Sequence, residues 1–145
     1  MYLAAFQEMR RDMLGLRNYT ISTHMHGPTG PNTVRQVSGN LARSVVSQVE
    51  DDGKAITGVV GFPEGSPAGS YARILHEGGT TRAHVIEARN AQTLAFMAGG
   101  QMIFRRKINH PGSNFPARPY LTSALEEQAA QIKASLSAAI RGSVE

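Results

Sequence analysis

The apolar residues Tyr2, Phe6, Met9, Met13 and Leu16 recur at spacings of three and four. That spacing lines them along one stripe of an amphipathic helix. Glu8, Arg10, Arg11 and Asp12 fall off the stripe, and Asn18 supplies a stop. The pattern predicts a first helix packed on a core or on a neighbouring subunit. Its polar face mixes both signs of charge, which argues against a membrane-surface helix. Over 19–37 the period is lost, and the run from Thr23 to Asn32 is turn chemistry, with His24, His26, Gly27, Pro28, Gly30 and Pro31.

Alternation begins at 44–50, with Val45 and Val49 on one face. Asp51, Asp52 and Gly53 form a tight-turn signal. The chain returns over 54–61, with Ile56 and Val60 on one side and Ala55, Thr57 and Val59 on the other. This predicts a β-hairpin. A second loop rich in Gly and Pro spans 61–69. Ser70 is placed to cap a short helix over 71–77, which Gly78 and Gly79 end. Residues 84–86 read as a strand. Segments 93–97 and 101–104 flank a hairpin loop at 98–100, and 105–108 continues the second strand. After a loop at 110–114, Phe115 and Tyr120 are expected to hold the entry of the longest helix. Its predicted stripe is Leu121, Leu125, Ala129, Ile132, Leu136 and Ile140. Pro119 suits a first helical position, and Ser123 with Glu126 offers a capping box one turn later.

This order predicts an α+β fold in one domain, 1–145. A mostly antiparallel sheet is packed by an N-terminal helix, a short middle helix and a long C-terminal helix, with long loops. The loops at 19–37 and 61–69 are expected to be ordered by partners, because Gly- and Pro-rich surface segments seldom order themselves. With 41% hydrophobic and 18% charged residues, the chain has a globular profile. No apolar run approaches the roughly 18 residues that span a bilayer. The first residues also lack the pattern of a secretion signal. A soluble, unexported protein with no membrane partner is therefore expected.

Charge and chemistry change the picture only in part. The net charge is +4, and twelve of the 15 basic residues are Arg, which favours planar interface contacts. Cysteine is absent, which excludes a disulfide framework, a thiolate metal site and a cysteine nucleophile. No G-x-S-x-G elbow, phosphate-binding loop or dinucleotide fingerprint occurs. His24 and His26 form the only close histidine pair, without nearby carboxylates. No catalytic, cofactor or metal site is expected. The rival from another class is a small metal-dependent hydrolase using His76, Glu77 and His84. A third reading is a DNA-binding module using Arg105, Arg106 and Lys107, of which Arg105 and Lys107 would share one strand face. Arg118, between two prolines, is a candidate for a salt bridge to Glu77 or to a neighbouring subunit.

Three segments carry a resemblance. Residues 38–45, with Ser38, Gly39, Leu41 and Ser44, are similar to a T-G-x-L-x-x-S-(I/V) pattern. Residues 71–79, with Tyr71, Ala72, Glu77 and Gly78, resemble a YA-x-x-x-(E/H)-x-G signature. Residues 116–125, with Pro116, Arg118, Pro119, Tyr120 and Leu121, resemble P-A-R-P-(F/Y)-L-x-x-A-L. In this order, ahead of a C-terminal helix, they resemble the tail-completion and head–tail joining proteins of tailed bacteriophages over roughly residues 38–140. Ser38 stands where that family often has Thr, which keeps the hydroxyl. The resemblance implies a non-enzymatic virion protein, assembled in the host cytoplasm, that forms a homo-oligomeric ring at the neck or tail. Its partners would be head-connector and tail-tube proteins, with non-specific contact to passing double-stranded DNA. A tail-terminator ring is the alternative within that class.

Overall fold

The computed structural model describes residues 2–36 and 38–144, with the side chain of Ser70 outside the described set. Its elements in chain order are α1 (Tyr2–Tyr19), a π-helical turn (Thr20–His24), α2 (Asn40–Ser44), β1 (Val46–Asp51), β2 (Ile56–Gly61), α3 (Gly69–Glu77), β3 (Gly79–Thr80), β4 (His84–Glu87), β5 (Leu94–Ala98), β6 (Gln101–Arg105), β7 (Lys107–His110), β8 (Asn114–Phe115) and α4 (Tyr120–Gly142). The fold is α+β, with the expected long helices at both ends, a short middle helix and antiparallel pairing throughout. Among the described residues the sheet is not continuous; it consists of four separate two-stranded ladders. The chain, expected to be one domain, divides into two compact units: a body (Met1–Gly78 and Pro116–Glu145) and an inserted unit (Gly79–Phe115).

In the body, α1 packs on the β1–β2 hairpin and on α4. The hairpin register pairs Val49 with Gly58 and Ser47 with Val60, and alternation turns these pairs to one face. A side chain at Gly58 would put its Cβ 2.5 Å from Met13 and 2.8 Å from Met9. The missing side chain is therefore what lets the α1 stripe lie on the strand. At the hairpin tip Gly53 has φ 79°. The Asp52 carboxylate accepts N–H bonds from Lys54 and Ala55, both 2.8 Å. Those bonds hold its pKa below the usual carboxylate value. Asp51 accepts from the Gly53 N–H and from the Tyr2 hydroxyl. The latter bond pushes the Tyr2 phenol up to about 12.

Among the described residues two core clusters lie in the body. Met13, Leu16 and Ala124 join α1 to α4, with Met9, Val49, Val60 and Ile132 packed against them. The second cluster gathers Met25, Val34, Leu41, Ala42, Val45, Ala68, Ala72 and Tyr120. The inner face of α4 differs from its expected stripe. Tyr120 and Ala124 are buried, while Leu125 and Ile140 are exposed. Tyr120 opens the helix behind Pro119 at the cap, so the capping-box start at Ser123 is not used. Ser123 N–H instead bonds the Pro119 carbonyl, at 2.9 Å.

The first expected loop is partly helical. Thr20 and His24 are buried, and Met25 and Val34 belong to the core. This part of 19–37 packs into the core of the body. Val37 lies outside the described residues. The α3 helix starts at Gly69, one residue ahead of the expected Ser70 cap. The Ser70 cap itself falls on an undescribed side chain. At the far end Gly78 has φ 77°, and its N–H reaches the Ile74 carbonyl at 2.8 Å. That backbone position favours Gly.

The inserted unit is one antiparallel ribbon built from three nested ladders. Gly79 pairs with Phe115, His84 to Glu87 with His110 to Lys107, and Leu94 to Ala98 with Arg105 to Gln101. Gly99 and Gly100, at φ 58° and 78°, make the two-residue tip turn, the conformation of a primed hairpin turn. Phe115, expected to staple the last helix, is instead the ribbon's final residue, paired with Gly79.

Candidate functional site

The three segments that carry the resemblance meet in the second core cluster of the body. Gly39, at φ 77°, precedes α2; a side chain there would meet Arg43 and Gln36 at 2.8 Å. The Arg43 guanidinium folds back onto the Ser38 carbonyl at 3.0 Å and Asn40 Oδ1 at 2.7 Å. Asn40 N–H bonds Ser38 Oγ, and the Ser44 hydroxyl donates to the Asn40 carbonyl at 2.7 Å. Together these contacts shape the single turn that buries Leu41 and Ala42.

Tyr120 is the hub of this joint. Its ring is fully buried and its hydroxyl donates to the Ala72 carbonyl at 2.9 Å. Phe62 and His76 meet it edge-on, with centroids 6.5 Å and 5.3 Å away. Burial, with Tyr71 nearby, raises its phenol pKa. Arg118 N–H donates to the Leu75 carbonyl at 3.1 Å. The segment around Pro119 is thus tied to α3 through backbone as well as ring. Pro116 and Leu121 flank this tie, and Leu121 packs on the cluster.

Arg118 does not pair with Glu77. Glu77 is taken by Arg73, one helical turn earlier on α3, at 2.9 Å. Proximity along one helix wins over a partner that lies across a proline-bounded turn. His76 Nε2 accepts a bond from Thr122 N–H at 3.3 Å, with Thr122 Oγ1 at 3.1 Å. That lone pair is therefore committed within the joint. His84 belongs to the ribbon, stacked on His110 at 4.9 Å. Among the described residues no group of three potential metal ligands is found.

The basic triplet is not one continuous strand. Arg105 ends β6, Lys107 begins β7, and Arg106 is the break between them. Six residues, 88–93, face that break on the other side, and Ala88 N–H bonds the Arg106 carbonyl at 3.1 Å. Strand alternation therefore does not govern the triplet as expected. Lys107 is paired with Glu87 at 2.9 Å, both partners exposed. The break forms a cleft of about 500 Å³ lined by Glu87, Ala88, Ala91, Gln92, Arg105, Arg106 and Lys107. Charge is distributed unevenly between the units. The ribbon holds five basic residues (Arg82, Arg89, Arg105, Arg106, Lys107) against Glu87 alone, so it carries the whole net charge of +4.

Sequence reasoning missed one polar network. His24, 2% exposed, lies within hydrogen-bond reach of the Asn32 carbonyl through Nδ1 (2.8 Å) and of Glu127 Oε2 through Nε2 (3.0 Å). The Tyr19 hydroxyl donates to the same carboxylate at 2.6 Å. Both acts lower the Glu127 pKa, Tyr19 most and then His24, while the Tyr19 phenol is raised. The signal was present in the spacing. Met13, Leu16, Thr20 and His24 continue the α1 stripe at helical intervals, but two polar identities masked it. No membrane-crossing helix occurs among the described residues. No family model matches the chain, and neither a curated protein nor a solved structure is significantly similar to it.

Proposed function

We propose that this chain is a structural virion protein of a tailed bacteriophage, a ring-forming neck or tail-completion subunit between head connector and tail. The observation that carries the reading is the joint around Tyr120. Three short segments, far apart in sequence and each resembling a motif of that group, supply the packing, the ring contacts and the backbone ties of one core. That they meet in one core supports the reading. In this reading they are scaffold, and the protein works through its surfaces, without catalysis or cofactor. The surface that fits the role is the ribbon. Its exposed Arg105 and Arg106, beside the Lys107–Glu87 pair, would face an acidic neighbour or the phosphates of DNA moving through the ring. Contacts to phosphate carry no sequence preference.

Electron microscopy and native mass spectrometry of the purified chain, alone and mixed with a head connector, test the proposal. A closed ring, alone or on the connector, is expected. A chain that stays monomeric under both conditions would overturn it.

A further inference from the structure

We infer that His24 is a proton-dependent latch: with hydrogens on both ring nitrogens it fastens the segment 25–34 to the body, and loss of one of them as pH rises frees that segment. The ring is buried at the end of the π-helical turn. Its Nδ1 lies 2.8 Å from the Asn32 backbone carbonyl, and its Nε2 lies 3.0 Å from Glu127 Oε2 on α4. A carbonyl and a carboxylate have lone pairs and no hydrogen to give. Both ring nitrogens must therefore donate, which histidine does only as the imidazolium. The other arrangement would set a protonated Glu127 against a neutral ring. Tyr19 opposes it, because its hydroxyl donates to the same Oε2 at 2.6 Å and favours the carboxylate. Tyr19 on α1, edge-on to the ring at 6.0 Å, and Glu127 on α4 are the titratable groups set against His24 among the described residues.

The latch closes a surface loop. Val34 N–H donates to the His24 carbonyl at 2.9 Å, which brings the two ends of 25–33 together. Gly30 and Thr33 bridge each other within the loop, and 26–29 are exposed. The Nδ1 bond to Asn32 ties the loop's far side to the buried ring. Met25 and Val34, at the loop's ends, are buried and line an apolar groove of about 450 Å³ with Leu41, Tyr71 and Leu75. The latch therefore also sets one wall of that groove. A neutral ring keeps one hydrogen, and a carboxylate holds it more strongly than a neutral carbonyl does. The bond that is lost is thus the one to Asn32, where two lone pairs would face each other in a buried place. Histidine is the residue that ordinarily changes charge near neutral pH. Its neighbours keep theirs there, since the Tyr19 phenol is raised and the Glu127 carboxylate lowered. The inference stands apart from the proposed function and from any viral setting.

Two measurements on the full chain test the latch. The first is nitrogen-15 NMR of the His24 ring at about pH 5 to 6, below the ordinary histidine value. A hydrogen on each ring nitrogen is expected, and a ring with a single hydrogen would overturn the inference. The second is amide hydrogen exchange from about pH 5 to pH 9, corrected for the intrinsic pH dependence of amides, with the β1–β2 ladder as the internal control. Protection at Val34 should fall by about tenfold or more across that range, the scale of one buried bond left unmade, while the ladder keeps its protection. Constant protection at Val34, or an equal fall in the ladder, would overturn the inference. Glu127→Gln supplies the complementary arm. Its amide can donate to Nε2, so a neutral ring satisfies both partners and the bond to Asn32 survives at every pH. Val34 protection in this variant should stay level, and a fall like the parent's would overturn the inference. Should the variant not fold, the two measurements on the parent chain still decide.

Discussion

The body and the ribbon are made by the same chain under opposite rules. In the body, small residues let large ones approach: Gly58 admits Met13, and Ala72 and Ala124 admit their neighbouring elements. Every fully buried large side chain, Tyr120 and Met25 included, belongs to it. Its charges balance. The ribbon contains no buried residue among those described, and it holds the net charge and several of the largest exposed apolar side chains. A core that closes on itself specifies a fold. A ribbon that leaves apolar surface open specifies an encounter. The difference separates stability from assembly within one molecule and predicts which substitutions touch which.

The sharpest way to break that separation is at Tyr120. Tyr120→Ala removes a buried ring, a hydroxyl bond to Ala72 and two edge contacts. It should cost about 3–5 kcal/mol in urea unfolding, the range for large-to-small aromatic substitutions in cores. Phe104→Ala on the ribbon removes a comparable ring from an exposed site and should change the unfolding of the unassembled chain by under about 0.5 kcal/mol. Equal losses at the two positions would erase the distinction.

Histidines sharpen it further. His24→Ala strips a buried ring with two acceptor partners and should destabilise by about 1–3 kcal/mol. His84→Ala acts on an exposed ring stacked on His110 and should stay within about 0.5 kcal/mol. Denaturant midpoints of the two variants, compared with the parent chain, decide the matter.

The same contrast explains what the sequence revealed. The helices, the β1–β2 hairpin and the α+β class were legible because each is local: stripes at three and four, alternation at two, and Asp-Gly turn chemistry. The motif segments were legible as identities, yet their meeting was not, since Tyr120 reaches Ala72 across 48 positions. The α4 stripe slipped because Tyr120 and Ala124, at the right interval, outcompeted Leu125 once α1 and α3 fixed the helix's rotation. In the ribbon, the strand at 84–86 and the tip hairpin were legible, but the pairing of the outer ladders was not. Those ladders pair Gly79 with Phe115 and His84 with His110, and no local period announces such partners. Glu77 was one of two partners open to Arg118, the other a neighbouring subunit, because sequence shows which charges exist and not which is nearer; Arg73 lies one turn from Glu77.

A smaller effect follows from Glu127. Its carboxylate titrates below the usual value in the folded chain because Tyr19 and His24 bond the charged form. A depressed carboxylate stabilises the fold above the unfolded value, and that contribution is lost as pH falls through the folded one. Thermal stability should therefore decline on the acid side of the ordinary glutamate range. In Glu127→Gln that part of the decline should be missing. Identical acid profiles for the two proteins would show that the network carries no such linkage.

The smallest effect on stability is expected where the charge is greatest. Arg105, Arg106 and Lys107 are exposed, and the one ion pair among them, Lys107 to Glu87, is a surface pair worth at most about 1 kcal/mol. Replacing all three with Gln takes the ribbon from a net +4 to +1, while the strands on either side of the Arg106 break keep their backbone ladders. The body, which sets the unfolding transition, is untouched, so the midpoint should shift little. Assembly should respond differently. Cations that face an acidic neighbour or passing phosphates contribute through displaced counterions, and that contribution weakens as salt rises. Particle yield or DNA retention in a complementation assay should fall for the triple variant at moderate salt. The gap to the parent protein should narrow at high salt, where the parent has lost the same advantage. Unchanged yield, infectivity and salt response would leave the cluster only the role of keeping ribbons apart in solution. In that case the variant should aggregate sooner than the parent as protein concentration rises, because like charge is what holds apolar tips from one another.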